Sequence, residues 1–176
     1  MKTALSTSPE PIVMTEAVDL AGLFRAHARY VAGVAMRLLG NDADVDDVVQ
    51  EVFIAAGSGL RSLREPAAVR GWLATVAVRI ASRKLRWRKL RQWIPFADLK
   101  AEPLFTHDLP ADERVLLNAI YTELELLPVA VRIAWSLRFL EGQQLEEVAR
   151  LCECSLATAK RRIAAAQERL AEVFGG

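Results

Sequence analysis

The stretch from Val69 to Arg91 changes character halfway along, and it constrains the fold more than any other part of the chain. Its first half carries apolar residues at helical spacing, namely Val69, Trp72, Leu73, Val76 and Ile80. Its second half carries cations on every side with no acid in the stretch to neutralise them, namely Arg83, Lys84, Arg86, Arg88, Lys89 and Arg91. The pattern predicts a long helix that is anchored in a core at its start and cationic at its end.

The cationic half has two interpretations. Cations favour the C-terminal end of a helix dipole, and runs of like charge are often solvated faces. Trp87 and Trp93, however, lie inside or beside the run, and aromatic rings interleaved with cations are what single-stranded bases stack on. A polyanionic partner is therefore predicted, with a solvated helix end as the alternative.

Composition narrows the class of protein. A chain of 176 residues can form one ordinary domain or two small ones, and 52% apolar residues exclude a largely disordered chain. No apolar run is long enough to insert into a membrane, and the N-terminus lacks the apolar core of a signal peptide, so a cytoplasmic location is expected. The net charge of +1 means that partners must be inferred from local patches.

Residues that could carry catalysis or hold a cofactor are missing from the sequence. Cys152 and Cys154 are the only cysteines, and their C-x-C spacing without a nearby histidine predicts small apolar fillers rather than a zinc site. We find no Gly-rich phosphate loop and no nucleophile with a plausible base. The protein is expected to be no enzyme and to need no metal or cofactor.

The sequence of the N-terminal half predicts a tail followed by helices. Residues 1–18 are rich in Ser, Thr and Pro and predict a flexible tail. An amphipathic helix follows and ends at Gly40, with its stripe formed by Leu20, Leu23, Phe24, His27, Val31, Val34 and Leu38.

The next helix, over residues 41–56, has two different faces. Its apolar stripe is Val45, Val48, Val49, Val52 and Phe53, and its other face carries Asp46, Asp47, Gln50, Glu51 and Ile54. Acids early in a helix suit its dipole and need no partner. An isoleucine within a polar rim is nevertheless how docking surfaces are built, so this face is a candidate interface.

Three prolines in the aperiodic residues 94–110 predict a flexible linker between two helical units. Residues 111–176 form the second unit, whose first helix would bury Val115, Leu116, Ile120, Leu124 and Leu127. Pro128 opens another helix, and a short helix, a turn at Cys152 and a long helix capped by Ser155 then predict a helix-turn-helix.

In that motif the start of the second helix meets base edges, and here it carries Thr158, Lys160, Arg161 and Arg162. Donors gathered at a helix start suit phosphate contacts. A plain helical hairpin with a basic turn is the alternative.

Taken in order, the motifs resemble the extracytoplasmic-function group of bacterial RNA polymerase sigma factors, in the sigma-70 family. The likeness runs through DDVVQEVF, RGWLATVAVRIASRKLR, a proline-bearing linker and LPVAVRIAWSLRFLEGQQLEEVARLCECSLATAKRRIAAAQERL. It implies an all-α chain with a three-helix region 2 domain at 19–93 and a four-helix region 4 domain at 111–176, which carries the helix-turn-helix. A flexible linker at 94–110 would join them.

The resemblance also implies partners and site residues. Asp46, Asp47, Gln50, Glu51 and Ile54 match the face that docks on the β′ clamp helices of core RNA polymerase. The minus-ten promoter element would be bound and opened by Arg64, Arg70, Trp72, Thr75, Arg79, Arg83, Lys84 and Arg86. The minus-thirty-five element would be read by Ser155, Thr158, Lys160, Arg161 and Arg162, and the same domain would touch the β flap. An anti-sigma factor is a further candidate partner.

Several residues depart from the pattern of the family. Arg79 and Arg83 stand where the family often has Asn and Asp, and Glu153 stands where a glycine is frequent in the turn. These departures predict an altered promoter preference and an intact fold. The alternative function is a stand-alone helix-turn-helix regulator, which would usually dimerise on a palindrome.

Overall fold

The computed structural model describes residues 19–59, 68–91 and 110–175, and these residues contain helices and no strands. Three helices form an N-terminal domain: α1 Leu20–Leu39, α2 Val45–Gly59 and α3 Val69–Arg91. Four form a C-terminal domain: α4 Ala111–Leu126, α5 Val129–Phe139, α6 Leu145–Leu151 and α7 Leu156–Phe174. The all-α prediction of three plus four helices is confirmed. The predicted tail and most of the linker lie outside the described residues.

The ends of α1 follow from its capping residues. Asp19 caps the start, because its carboxylate accepts a hydrogen bond of 2.8 Å from the backbone N–H of Gly22. Gly40 ends the helix in the left-handed conformation, with φ at 72°, as predicted. A side chain at Gly40 would also collide with Tyr121 and Arg132 of the C-terminal domain, so glycine is needed there for space as well as for backbone conformation.

The core of the N-terminal domain is built from the predicted stripes of α1 and α2 together with α3. Leu38, Val48, Val52 and Leu73 are fully buried at its centre. On α3 the apolar side chains continue past Ile80 to the buried Leu85, because small alanines between them let neighbouring helices approach. The expectation that only the start of α3 is anchored in the core is therefore wrong.

The apolar face predicted for α4 is also wrong in part. Val115 and Leu116 are 69% and 52% exposed, whereas Tyr121 and Leu124 are buried against α5 and α7. A tyrosine can take a core position when its hydroxyl has a hydrogen-bond partner, and Tyr121 donates to the backbone oxygen of Arg37 at 2.8 Å. The buried face of α4 is therefore the one that carries Tyr121 and Leu124, and Val115 and Leu116 lie outside it.

The middle of helix α5, from Arg132 through Leu137, is buried on all sides. A helix without an exposed face must be central. It packs against α4, α6 and α7 of its own domain and also against α1 and α3, so the apolar residues of both domains merge into one core cluster that includes Leu38, Leu73, Ile133 and Leu137. In this structure the two domains are packed on each other.

Candidate nucleic-acid interface

The outer face of α2 lies where the sequence placed it. Asp46, Asp47 and Gln50 are exposed, Glu51 is half-buried, and Ile54 is 68% exposed although it is apolar. An exposed isoleucine among acids is the arrangement expected of a docking centre with a polar rim.

The sequence did not show that α1 extends this apolar centre. Leu20 and Phe24 were assigned to a buried stripe, but they are 39% and 46% exposed and line one groove with Ile54 and Phe53. The ring of Phe24 meets that of Phe53 edge-on at 4.9 Å between centroids, so α1 and α2 pack together at this groove. The result is an apolar groove rimmed by Asp46, Asp47, Gln50 and Arg25.

The cations in the middle of α3 are neutralised by α2, contrary to the expectation of a helix without acids around it. Lys84 lies 3.2 Å from Asp47 and 3.7 Å from both Asp44 and Glu51, and only 18% of its side chain is exposed. Arg83 pairs with Glu51. The acids come from another helix, so the local charge run could not reveal them.

One further cation ties α3 to the start of α2. Arg88 donates to Asp44 at 2.7 Å and to the buried Asn41 at 2.6 Å. Arg83, Lys84 and Arg88 therefore brace the N-terminal domain from one side of α3.

The other predicted minus-ten residues are distributed along α3. Arg70 stacks over the ring of Tyr30 at 4.1 Å, and Trp72 is half-buried against the core. Thr75 donates to the backbone oxygen of Gly71 at 2.8 Å, as hydroxyls commonly do within helices. Arg64 lies outside the described residues.

Toward its end α3 exposes cations and apolar side chains together. Arg86 is exposed, and Trp87 and Leu90 are each 61% exposed. Exposed aromatic and cationic side chains on one helix suit stacking with bases and attraction to phosphates. Trp93 lies outside the described residues.

The helix-turn-helix has the predicted construction. In the turn Glu153 takes a positive φ of 50°, which explains why a glycine would suit this position. Ser155 then caps α7 by accepting from the backbone N–H of Thr158 at 3.2 Å, and its hydroxyl donates to that of Thr158 at 2.9 Å.

Helix α7 divides its first turns between core and surface. Ala159 and Ile163 are buried, Lys160 and Arg161 are exposed, and Arg162 is half-buried. Lys160 and Arg161 are thus presented together on the outer side of the helix, beside the capped end. Cys152, beneath the turn, packs against the core, and burial raises the pKa of its thiol to about 11.

Some residues from the two predicted DNA-binding sets meet at the domain boundary. Arg79, Ser82 and Arg86 of α3 line a crevice of about 180 Å³ together with Glu153 and Arg162. Arg79 donates to Glu153 with its Nε at 2.7 Å, and Arg150 donates to Thr75 at 3.1 Å. Lys160 and Arg161 do not line this crevice.

The described residues contain neither a metal-ligand cluster nor a membrane-spanning helix. No three His, Cys, Asp or Glu side chains within residues 19–59, 68–91 and 110–175 gather closely enough to hold a metal ion. None of the seven described helices is long and apolar enough to cross a membrane.

Comparison with known proteins identifies both domains. The family model for Sigma-70 region 2 matches residues 23–91, and that for Sigma-70, region 4 matches residues 117–170. The ECF RNA polymerase sigma-E factor of Haemophilus influenzae is 31% identical over 152 residues, covering 80% of this chain and 79% of that protein. RNA polymerase sigma-H factor of Pseudomonas aeruginosa is 29% identical over 166 residues, covering 88% and 84%.

The fold is also known from solved structures. The sigma factor RpoE of Bartonella quintana, solved with the anti-sigma factor NepR, superposes with a TM-score of 0.65 at 20% identity, covering 89% of this chain and 97% of that one. The two region matches span the predicted polymerase face, all of the predicted minus-ten residues and the start of the second helix of the helix-turn-helix. The chain therefore belongs to the sigma-70 family of RNA polymerase sigma factors, in its extracytoplasmic-function group.

Proposed function

We propose that this protein is the specificity subunit that binds core RNA polymerase and directs transcription initiation at promoters with minus-ten and minus-thirty-five elements. The observation that carries the proposal is that one chain combines a region 2 domain and a region 4 domain, each bearing its own candidate surface. A stand-alone helix-turn-helix regulator is not favoured, because such a protein needs no region 2 domain.

The apolar groove on α1 and α2 is the proposed seat of the polymerase β′ clamp helices. Its centre is Ile54 with Phe24, and its rim is acidic, which supplies both apolar area and a charge pattern for orienting a basic partner. Contact of the C-terminal domain with the β flap rests on the family likeness.

The proposed DNA-binding residues fall on α3 and α7. Cations and the exposed Trp87 at the end of α3 supply phosphate attraction and a stacking surface for an opened strand. The start of α7 supplies Lys160 and Arg161 for the duplex of the minus-thirty-five element. On this account the subunit positions promoter DNA, and covalent chemistry belongs to the polymerase.

An anti-sigma factor is a proposed regulatory partner. The support is that a protein of the same fold was solved in complex with one.

Binding to core polymerase tests the proposal directly. The purified chain should co-migrate with a bacterial core RNA polymerase on size-exclusion chromatography at micromolar concentration. Free migration of all the added chain at that concentration would contradict the proposed function.

A further inference from the structure

Three guanidinium groups line the crevice at the boundary of the two domains. Arg79 and Arg86 belong to α3 and Arg162 belongs to α7, and all three border the same volume of about 180 Å³. Glu153, in the turn before α7, is the one carboxylate among the described residues that line it. Three guanidinium charges against one carboxylate leave the crevice with a net charge of +2.

Of these cations, Arg79 alone has a carboxylate partner among the described residues. Its Nε donates to Glu153 at 2.7 Å, and both side chains of the pair are largely exposed. Arg86 and Arg162 make no hydrogen bond and no ion pair within the part of the chain that the structure describes. Their N–H groups therefore remain available as donors to a ligand in the crevice.

Other cations of α3 are in a different situation. Arg83, Lys84 and Arg88 each pair with acids of α2. The packing of α3 on the C-terminal domain instead brings Arg86 and Arg162 to one crevice, where like charges repel each other. A bound anion would offset that repulsion.

The uncharged side chains of the crevice also suit an anion. Ser82 adds a hydroxyl donor without a partner among the described residues. Val78, Ile133 and Leu151 are buried and form an apolar wall. Hydrogen bonds from guanidinium groups are stronger beside apolar groups, because fewer waters screen them. Guanidinium and hydroxyl donors against such a wall match the acceptor oxygens of a phosphate.

The size of the crevice limits the ligand to a small anion. Sites for drug-sized ligands run from about 300 to 1,000 Å³, whereas this crevice measures about 180 Å³. Its net charge of +2 favours a multiply charged anion over a monoanion. A diphosphate group meets both conditions, since it is compact and multiply charged.

We propose that this crevice binds the diphosphate group of a small phosphoanion, held by Arg86 of one domain, Arg162 of the other and the hydroxyl of Ser82. Arg79 joins them when the ligand displaces Glu153. Free pyrophosphate and the diphosphate of a nucleotide present the same chemistry to these donors. The site involves neither polymerase nor promoter DNA, so it does not rest on the proposed function.

Isothermal titration calorimetry of the full chain with pyrophosphate, in buffer without divalent cations, tests the site. We expect one pyrophosphate per chain, bound about tenfold more tightly than inorganic phosphate. Arg86→Gln and Arg162→Gln should each weaken binding about tenfold, because each removes a charge-assisted hydrogen bond. Arg91→Gln is the matched control: it removes the same charge from an exposed position of α3 outside the crevice and should keep the wild-type affinity.

Several results of these titrations would overturn the site. They are no binding to the wild-type chain, wild-type affinity in either crevice variant, and two pyrophosphates per chain, which would indicate separate surface patches. An equal loss in Arg91→Gln would also overturn it, because general charge attraction would then explain the binding. Circular dichroism checks that each variant is folded.

Glu153 provides a variant that should bind more tightly. Glu153→Gln removes the carboxylate that repels the ligand and occupies Arg79, so affinity for pyrophosphate should rise about threefold. Equal or weaker binding would overturn the role given to Arg79.

Titration with ADP distinguishes the two sources of the diphosphate. Similar affinities for ADP and pyrophosphate, both dependent on Arg86 and Arg162, would assign the site to the diphosphate group itself. ADP bound about tenfold more tightly would make the crevice the phosphate end of a nucleotide site, and no binding of ADP would restrict the site to free pyrophosphate. All of these titrations use the chain alone, so failure to bind core polymerase would leave their results standing.

Discussion

At the scale of single residues, Ser155 determines where α7 begins. Its hydroxyl oxygen satisfies one of the backbone donors that every helix start leaves open, and it also holds the hydroxyl of Thr158. The cap therefore sets the position of Thr158 relative to the exposed Lys160 and Arg161. This detail could be predicted from the sequence, because a serine between a turn and a helical period is a local signal.

Replacing Ser155 tests that role. We expect Ser155→Ala to lower the free energy of unfolding by about 1 kcal/mol, since the N–H of Thr158 loses its acceptor. Ser155→Asp should retain nearly the wild-type value because aspartate caps as well as serine does. Urea denaturation measures both free energies. An alanine variant as stable as the aspartate variant would show that the side chain of residue 155 does not stabilise the start of α7.

Cys152 gives a second residue-scale prediction. Burial raises its pKa to about 11 from an ordinary value of 9.0, so at pH 8 its reactive thiolate should be about a hundredfold scarcer than in an ordinary thiol. In a Cys154→Ala background, iodoacetamide should modify the native chain at least that much more slowly than the urea-unfolded chain. Similar rates in both states would mean that the thiol is not shielded.

The same shift gives the direction of a pH effect. Because the pKa of Cys152 is higher in the folded chain than in the unfolded chain, its contribution to stability is intact below pH about 9 and is lost as the pH rises toward 11. Cys152 therefore disfavours the folded state only in alkaline solution.

At the scale of elements, local sequence patterns predicted the helices better than they predicted the contacts between helices. The capped ends of α1 and α7 and the stripe of α2 were readable because each depends on neighbours within a few residues. The ion pairs of Lys84 with α2 were not, because Asp47 lies far from it in sequence. Likewise, the stripe of α4 could not be oriented without knowing that Tyr121 has a partner on α1.

The groove on α1 and α2 yields a prediction on polymerase binding. Ile54 is 68% exposed, so Ile54→Asp should leave the fold intact while removing the apolar centre of the proposed interface. We expect affinity for core polymerase to fall roughly tenfold to a hundredfold, from about 1.5–3 kcal/mol for one buried isoleucine.

The control for this experiment is Ala165→Asp, an exposed position on α7 away from the groove. Ile54 is a sharper target than Asp47 or Glu51, because reversing either acid would also break its ion pair with Lys84. Wild-type affinity in Ile54→Asp would place the polymerase contact elsewhere.

The start of α7 yields a prediction on DNA binding. If Lys160 and Arg161 contact phosphates, replacing either by alanine should reduce the slope of log affinity against log salt by about one, because one fewer counterion is released. A 30-base-pair random-sequence duplex is a suitable probe, since phosphate contacts carry no sequence information. Arg169→Ala, whose guanidinium is held by Glu123, should keep the wild-type slope. Unchanged slopes in all three variants would exclude this surface.

At the scale of the whole molecule, the packing of the two domains on each other could not be predicted from the sequence. The motifs predicted two helical units and their roles, and the family comparison confirms both regions. No periodic pattern marks this arrangement, because Arg37, Tyr121, Arg132 and Glu141 are single residues on separate elements that meet only when the domains pack. The burial of α5 from Arg132 through Leu137 is the clearest sign of this packing, since one face of the helix serves its own domain and another meets α1 and α3.

The most direct test of the central claim is to map transcription start sites from a genomic DNA library with core RNA polymerase, with and without this chain. The account predicts discrete transcript 5′ ends that need the chain and share two spaced sequence elements upstream. A chain that produces no new 5′ ends with core polymerase, yet binds duplex DNA tightly on its own as a dimer, would contradict it.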